Sequence, residues 1–253
     1  MTQPGRGAQG RLQRGPQLPY QLLAGVVPCP AGWLVASGKL IGVQVFPEEP
    51  HIATSFREVL DNIPEFVAIA VTLPIGLPDK PSKGGRKCDV EARNLLGFPH
   101  AGAIGSTPCR PALAAANYDA ARAANGGLLD VVTWQQFKKI RELDGEMQPY
   151  LQRKVYECRP ELSFLQLNED VKMKHTKDSA KGQAERQELL RRRMPGSERV
   201  LDFEGLPESV RLAHRTDACG ALWTARRVVA KAITRLPEDP EWDENGLRMQ
   251  IVR

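Results

Sequence analysis

The chain has 253 residues, enough for one α/β domain to bury an apolar core without disulfide or metal staples. A composition of 42% hydrophobic and 26% charged residues excludes a wholly disordered chain, and no apolar run approaches the roughly 20 residues that cross a bilayer. With 35 Lys and Arg against 30 Asp and Glu, the net charge of +5 permits a polyanionic partner without demanding one.

Residues 1–20 are rich in Gly, Gln, Pro and Arg and lack the apolar stretch of a secretory signal, so they read as a flexible tail. The five cysteines (Cys29, Cys88, Cys109, Cys158 and Cys219) are odd in number and contain no C-x-x-C pair. That argues against a zinc ribbon or disulfide scaffold and for reduced thiols in a cytoplasmic protein. Apolar runs at 22–27 and 32–36, a turn signal at Gly38-Lys39 and an alternating run at 41–46 predict a three-stranded antiparallel meander. A short helix at 53–62 places Phe56, Val59 and Leu60 on one face, and the apolar run at 66–73 suits a central strand covered on both sides. A helical insertion follows at about 80–150, with helices expected at 88–96, 111–124 and 134–147. A strand at 154–158 is stopped by Pro160. Helices are then expected at 179–193, briefly at 207–213, and at 216–236. The pattern gives one domain over 21–236, with 237–253 as a polar C-terminal tail. Trp33 and Trp223 are expected in the core.

Seven segments in consistent order carry a resemblance. They are AGVVPCPAGWLVA at 24–36, VTLPIGLPD at 71–79, RKCDVEARNLLG at 86–97, TWQQFKKIRELD at 133–144, VYECRPELSF at 155–164, AKGQAERQELL at 180–190, and TDACGALWTARR around Asp217. Together they resemble the family known as domain of unknown function 429, a group of predicted ribonuclease-H-like nucleases. The resemblance implies an α/β fold with a ribonuclease-H-like mixed sheet: three antiparallel strands, then parallel strands, with flanking helices. It also implies phosphodiester hydrolysis by Mg²⁺ or Mn²⁺ ions held on clustered carboxylates.

Several acids of the family pattern are replaced. The first-strand Asp is Val27 and the Gly after it is Pro28. The fourth-strand Asp is Thr72, the Asp pair opening the last helix is Ala213-His214, and a His before Pro160 is Arg159. Glu157, Pro160-Glu161 and Asp217-Ala218 match the pattern. The resemblance therefore implies a rearranged catalytic set of Glu157, His214 and Asp217, with Glu157 and Asp217 as metal ligands. The competing reading makes Asp217 a helix N-cap and Glu157 a salt-bridge partner of Arg153 or Arg159. Likewise Asp89, Glu91 and Arg93 read as a helix start matched to its dipole, and Glu161 as a first-turn carboxylate. Lys174, Lys177, Arg192 and Arg226 are the candidate nucleic-acid contacts, although a solvated helix face is the commoner explanation of such basic groups. Two functions stay open: a metal-dependent nuclease with a rearranged site, or a catalytically inactive domain that binds nucleic acid or protein. An actin-like phosphotransferase is disfavoured, because Val27-Pro28-Cys29 stands where its Asp-x-Gly hairpin would be.

Overall fold

The computed structural model describes residues 20–253; the expected N-terminal tail, apart from Tyr20, lies outside the described residues. Strand β1 (Gln21–Cys29) turns through Pro30-Ala31 into β2 (Gly32–Ile41), its antiparallel partner. Both β3 (Gln44–Pro47) and β4 (His51–Ala53) pair antiparallel with β2. After α1 (Phe56–Leu60), β5 (Ala68–Val71) joins the other side of β1 in parallel. Beyond it come β6 (Val155–Cys158) and β8 (Arg248–Val252), each parallel to its inner neighbour, and β7 (Arg235–Trp242) closes the edge antiparallel to β8. The order is β3-β2-β1-β5-β6-β8-β7, with β4 off that path against β2.

Strand alternation splits the core between the two faces of the sheet. Leu22, Ala24 and Val26 of β1 share one cluster with Trp33, Phe56 and Ile69. Leu23 and Val27 share another with Leu34, Ala70 and Leu222. The first face is covered by α1, α3 (Tyr118–Ala124), α4 (Val131–Gln135) and α5 (Phe137–Glu146). The second is covered by α6 (Pro160–Leu167), α7 (Ala180–Arg193), α8 (Glu198–Leu201) and α9 (Leu212–Val229). Helix α9 lies directly on β1 because Gly25 has no side chain: a Cβ there would collide with the backbone of Ala218 and Leu222. Among the described residues, no helix is long and apolar enough to cross a membrane.

The structure departs from the sequence expectations at several points. Gly38-Lys39 is not a turn; β2 runs through it and the turn falls at Gly42-Val43. Gly38 is small for packing, since a Cβ would sit 2.7 Å from Val45 Cγ2. The expected helix at 111–124 is a 3₁₀ turn (Arg110–Ala114) followed by α3, which Asn117 caps by accepting from the Ala120 N–H at 2.9 Å. The helix expected at 134–147 breaks at Gln136 into α4 and α5. The last helix starts at Leu212 and ends at Val229, absorbing the end of the short helix expected at 207–213. The largest correction concerns 237–253: instead of a polar tail these residues supply most of β7 and all of β8. Leu247 and Ile251 there are fully buried, and an edge strand such as β7 tolerates Pro237 and Pro240 because half its N–H groups face outward.

Candidate functional site: a cleft at the ends of the central strands

Val71 of β5 pairs with Val26 of β1, and the Thr72 N–H donates to the Val26 carbonyl at 3.1 Å. Thr72 and Val27 thus leave adjacent strand ends together, and both line a cavity of about 550 Å³. Arg159, at the exit of β6, forms another wall. The insertion contributes Thr107 and Val132, the loop before α7 contributes Lys177, and the first turns of α9 contribute His214 and Asp217. A crevice beyond the carboxyl ends of parallel strands is where open α/β sheets place their ligands.

Glu157 is on β6 and 1% exposed. Its Oε1 accepts from Arg86 Nη2 at 2.6 Å and lies 2.9 Å from Arg159 Nη2. Its Oε2 accepts from Arg86 Nη1 at 2.8 Å and from the Ile75 N–H at 2.7 Å. Arg86 is itself fully enclosed and also donates to Asp89 Oδ1 at 2.9 Å and to the carbonyls of Ile75 and Gly76. Asp89 closes the group by accepting from the Arg86 N–H at 3.0 Å, at the start of α2 (Lys87–Leu96). Burial alone would raise the Asp89 carboxyl, but Arg86 and Arg159 hold it well below the usual carboxylate range. Two guanidinium groups and two carboxylates therefore form a neutral buried cluster. Glu157 is not among the residues lining the cavity, whereas its partner Arg159 is.

Asp217 is in the second turn of α9, not at its cap. Its Oδ2 accepts from Lys177 Nζ at 2.8 Å, and its Oδ1 has no partner. Burial would lower Lys177, but the Asp217 charge outweighs it and raises the ammonium above its ordinary value. The cap function falls to His214, whose Nδ1 accepts from the Arg211 N–H at 3.1 Å. Burial, then the Arg211 charge, hold His214 below its ordinary value, so the ring is neutral at neutral pH. The spacing of three does bring His214 and Asp217 to the same cavity.

Of the basic candidates, Lys177 alone lines this cavity. Lys174 is exposed in the preceding loop, where its N–H donates to Glu185. Arg192 is exposed in the last turn of α7, about 18 Å along the helix from its start at 1.5 Å per residue. Arg226 lies nine residues beyond Asp217 on α9 and donates Nε to the Val43 carbonyl at 2.7 Å. Glu161 does stand in a first helical turn, but its carboxylate is buried against Arg186. All five cysteines are free and buried, and burial pushes the thiols of Cys88, Cys158 and Cys219 up. Among the described residues, no group of three or more His, Cys, Asp or Glu side chains stands together as a metal would need.

Sequence reasoning missed three contributors: Arg86, the Lys177–Asp217 pairing and Thr107. Arg86 could have been suspected from its position three residues before Asp89 at a helix start. Thr107 carried no signal, because a lone threonine in a loop acquires meaning only from what folds against it.

A mixed sheet in which antiparallel β1–β4 precede parallel β5, β6 and β8, with a cleft at the central strand ends, defines a ribonuclease-H-like α/β domain. The chain belongs to the family described as protein of unknown function (DUF429), whose model matches residues 25–242. No curated protein and no solved structure matches it.

Proposed function

We propose that this chain is a non-hydrolytic ribonuclease-H-like domain that holds a ligand in the cleft without a divalent ion. The observation that carries this reading is that each carboxylate of the candidate metal pair already has a fixed cation. Glu157 is held by Arg86 and Arg159, and Asp217 by Lys177. A Mg²⁺ or Mn²⁺ ion asks for hard oxygen ligands with free lone pairs. To reach Glu157 it would have to displace a guanidinium that cannot lose its proton and that is enclosed on all sides. Val27 supplies no ligand atom, and Thr72 supplies only a neutral hydroxyl. The residues present do not fit the metal pair of a nuclease. Lys177 is the one basic candidate that lines the cleft, and there it is paired with Asp217.

Thermal denaturation in EDTA and in millimolar Mg²⁺ or Mn²⁺ tests the reading, together with incubation with single- and double-stranded DNA and RNA. A melting temperature indifferent to metal and intact nucleic acid are expected. A metal-dependent rise that disappears in Asp217→Asn, or cleavage abolished by the same substitution, would overturn it.

A further inference from the structure

The first turn of α9 is weakly held. Its first regular backbone bond, from the Arg215 N–H to the Arg211 carbonyl, is long at 3.4 Å, and Arg211 and Leu212 are exposed. Full burial begins at Thr216. Arg215 is tied back to the carbonyls of Leu201 and Phe203, at 2.6 and 3.1 Å, so the loosely held part is residues 211–214. One side-chain bond closes that part: the Arg211 N–H donates to His214 Nδ1 at 3.1 Å. His214 stands where a capping box places Glu or Gln, which reach back to the same N–H.

A histidine in this place differs from Glu or Gln in one respect. Because Nδ1 accepts, the proton of the neutral ring is on Nε2. When the ring takes up a second proton, both nitrogens donate and the acceptor is gone. The surroundings do not welcome that proton. Arg211 faces the ring from the start of α9 and Lys177 from the loop before α7. Asp217, one turn further along α9, is the carboxylate that favours it, and it is already bound to Lys177. Asp178 also borders the cavity but is exposed. The helix start adds its own partial positive charge.

We propose that His214 is a pH-operated cap on the cleft wall: protonation at Nδ1 breaks the bond to the Arg211 N–H, opens residues 211–214 and withdraws the ring from the cavity. Asp217 stays in place, held by Lys177 and by the buried helix beyond Thr216. The sign follows from the folded-state value of His214, which burial and then Arg211 hold below the ordinary one. The contribution of the cap to stability is complete above the unfolded value of about 6.5 and is lost as pH falls through the folded one. The inference rests on the metal-free reading of the cleft, since a cation beside Asp217 would itself oppose protonation of the ring.

The test is NMR of the full chain in EDTA between pH 8 and 5, following the His214 ring and backbone amide exchange corrected for its intrinsic pH dependence. Protection of the Arg211 amide should fall about fivefold as His214 takes up its proton, while the amides after Thr216 are unchanged. His214→Gln, which keeps an acceptor and does not titrate, should hold that protection constant. His214→Ala should show the low value at every pH, and the native melting temperature should fall relative to the Gln variant below about pH 6.5. Protection that ignores the titration, or a Gln variant that follows the native pH course, would overturn the inference. So would a loss spread evenly through α9. Those failures leave the metal-free reading standing. A melting temperature that rises with Mg²⁺ and no longer does so in Asp217→Asn sinks that reading, and the inference with it.

Discussion

Replacing Arg86 with Met measures what the buried cluster contributes. The substitution keeps most of the side-chain volume and removes a guanidinium that bridges Glu157 and Asp89. Breaking a buried ion pair by removing one partner typically costs about 3–5 kcal/mol, because the other charge stays buried. Arg159 remains 2.9 Å from Glu157 and 3.4 Å from Asp89, so the lower end, about 3 kcal/mol, is expected near pH 7. For a chain of this length that is a fall in melting temperature of roughly 6–12 °C. The pH dependence separates this cause from simple loss of packing. In the native chain the folded-state value of Asp89 is depressed, so its stabilisation is present above the unfolded carboxylate value of about 3.9 and is lost as pH falls through the folded one. Without Arg86 the burial that raises the Asp89 carboxyl is opposed by Arg159 alone, so protonation relieves part of the cost. The gap between native chain and variant should therefore narrow as pH falls from 7 to about 4. Urea denaturation at a series of pH values reads both quantities. A loss below about 1 kcal/mol, or a gap that does not change with pH, would refute the reasoning.

Two further outcomes follow from packing. Gly25→Ala should cost about 3 kcal/mol or more by thermal denaturation, since the added methyl meets the backbone of α9 and not a movable side chain. A near-native melting temperature would show that α9 can slide on β1. Ending the chain after Thr234 removes β7 and β8, and with them Leu247 and Ile251 from two separate core clusters. The shortened chain should lack a cooperative unfolding transition by circular dichroism; a sharp transition would restore the reading of these residues as a tail.

The sheet was legible because its central strands are covered on both faces, and continuous apolar runs such as the one containing β5 have few other uses. The C-terminal hairpin was not, because β7 is an edge strand whose sequence, with two prolines and three acids, satisfies solvent on one side. The site was legible only as a set of residue types. The spacing of His214 and Asp217 placed both at the cleft, and Arg159 was foreseen as one partner of Glu157. Arg86 lies 71 residues from Glu157, so its role depends on the loop after β5 returning beneath β6, which no local pattern encodes. Lys177 is 40 residues from Asp217 and was read as a phosphate contact, when its nearest charge is the carboxylate it neutralises.

Neutralisation gives the missing acids a physical meaning that can be tested by restoring them. A nuclease cleft tolerates several clustered carboxylates because divalent ions balance them; in this chain Arg86, Arg159 and Lys177 balance the acids that are present. If the cations and the missing acids are alternatives, then Val27→Asp with Thr72→Asp adds two carboxylates with no counter-charge of their own. Val27 is 4% exposed, and an uncompensated buried charge costs several kcal/mol, so the double variant should melt well below the native chain in EDTA. Adding Mg²⁺ should not recover the loss while Arg159 and Lys177 are in place, since Glu157 and Asp217 remain committed to them. Adding both Arg86→Met and Arg159→His to the double variant removes the two guanidinium groups that hold Glu157 Oε1, and there Mg²⁺ should raise the melting temperature. Metal rescue of the double variant with both cations intact would show that fixed charge does not exclude the ion, and the metal-free reading of the cleft would have to be given up.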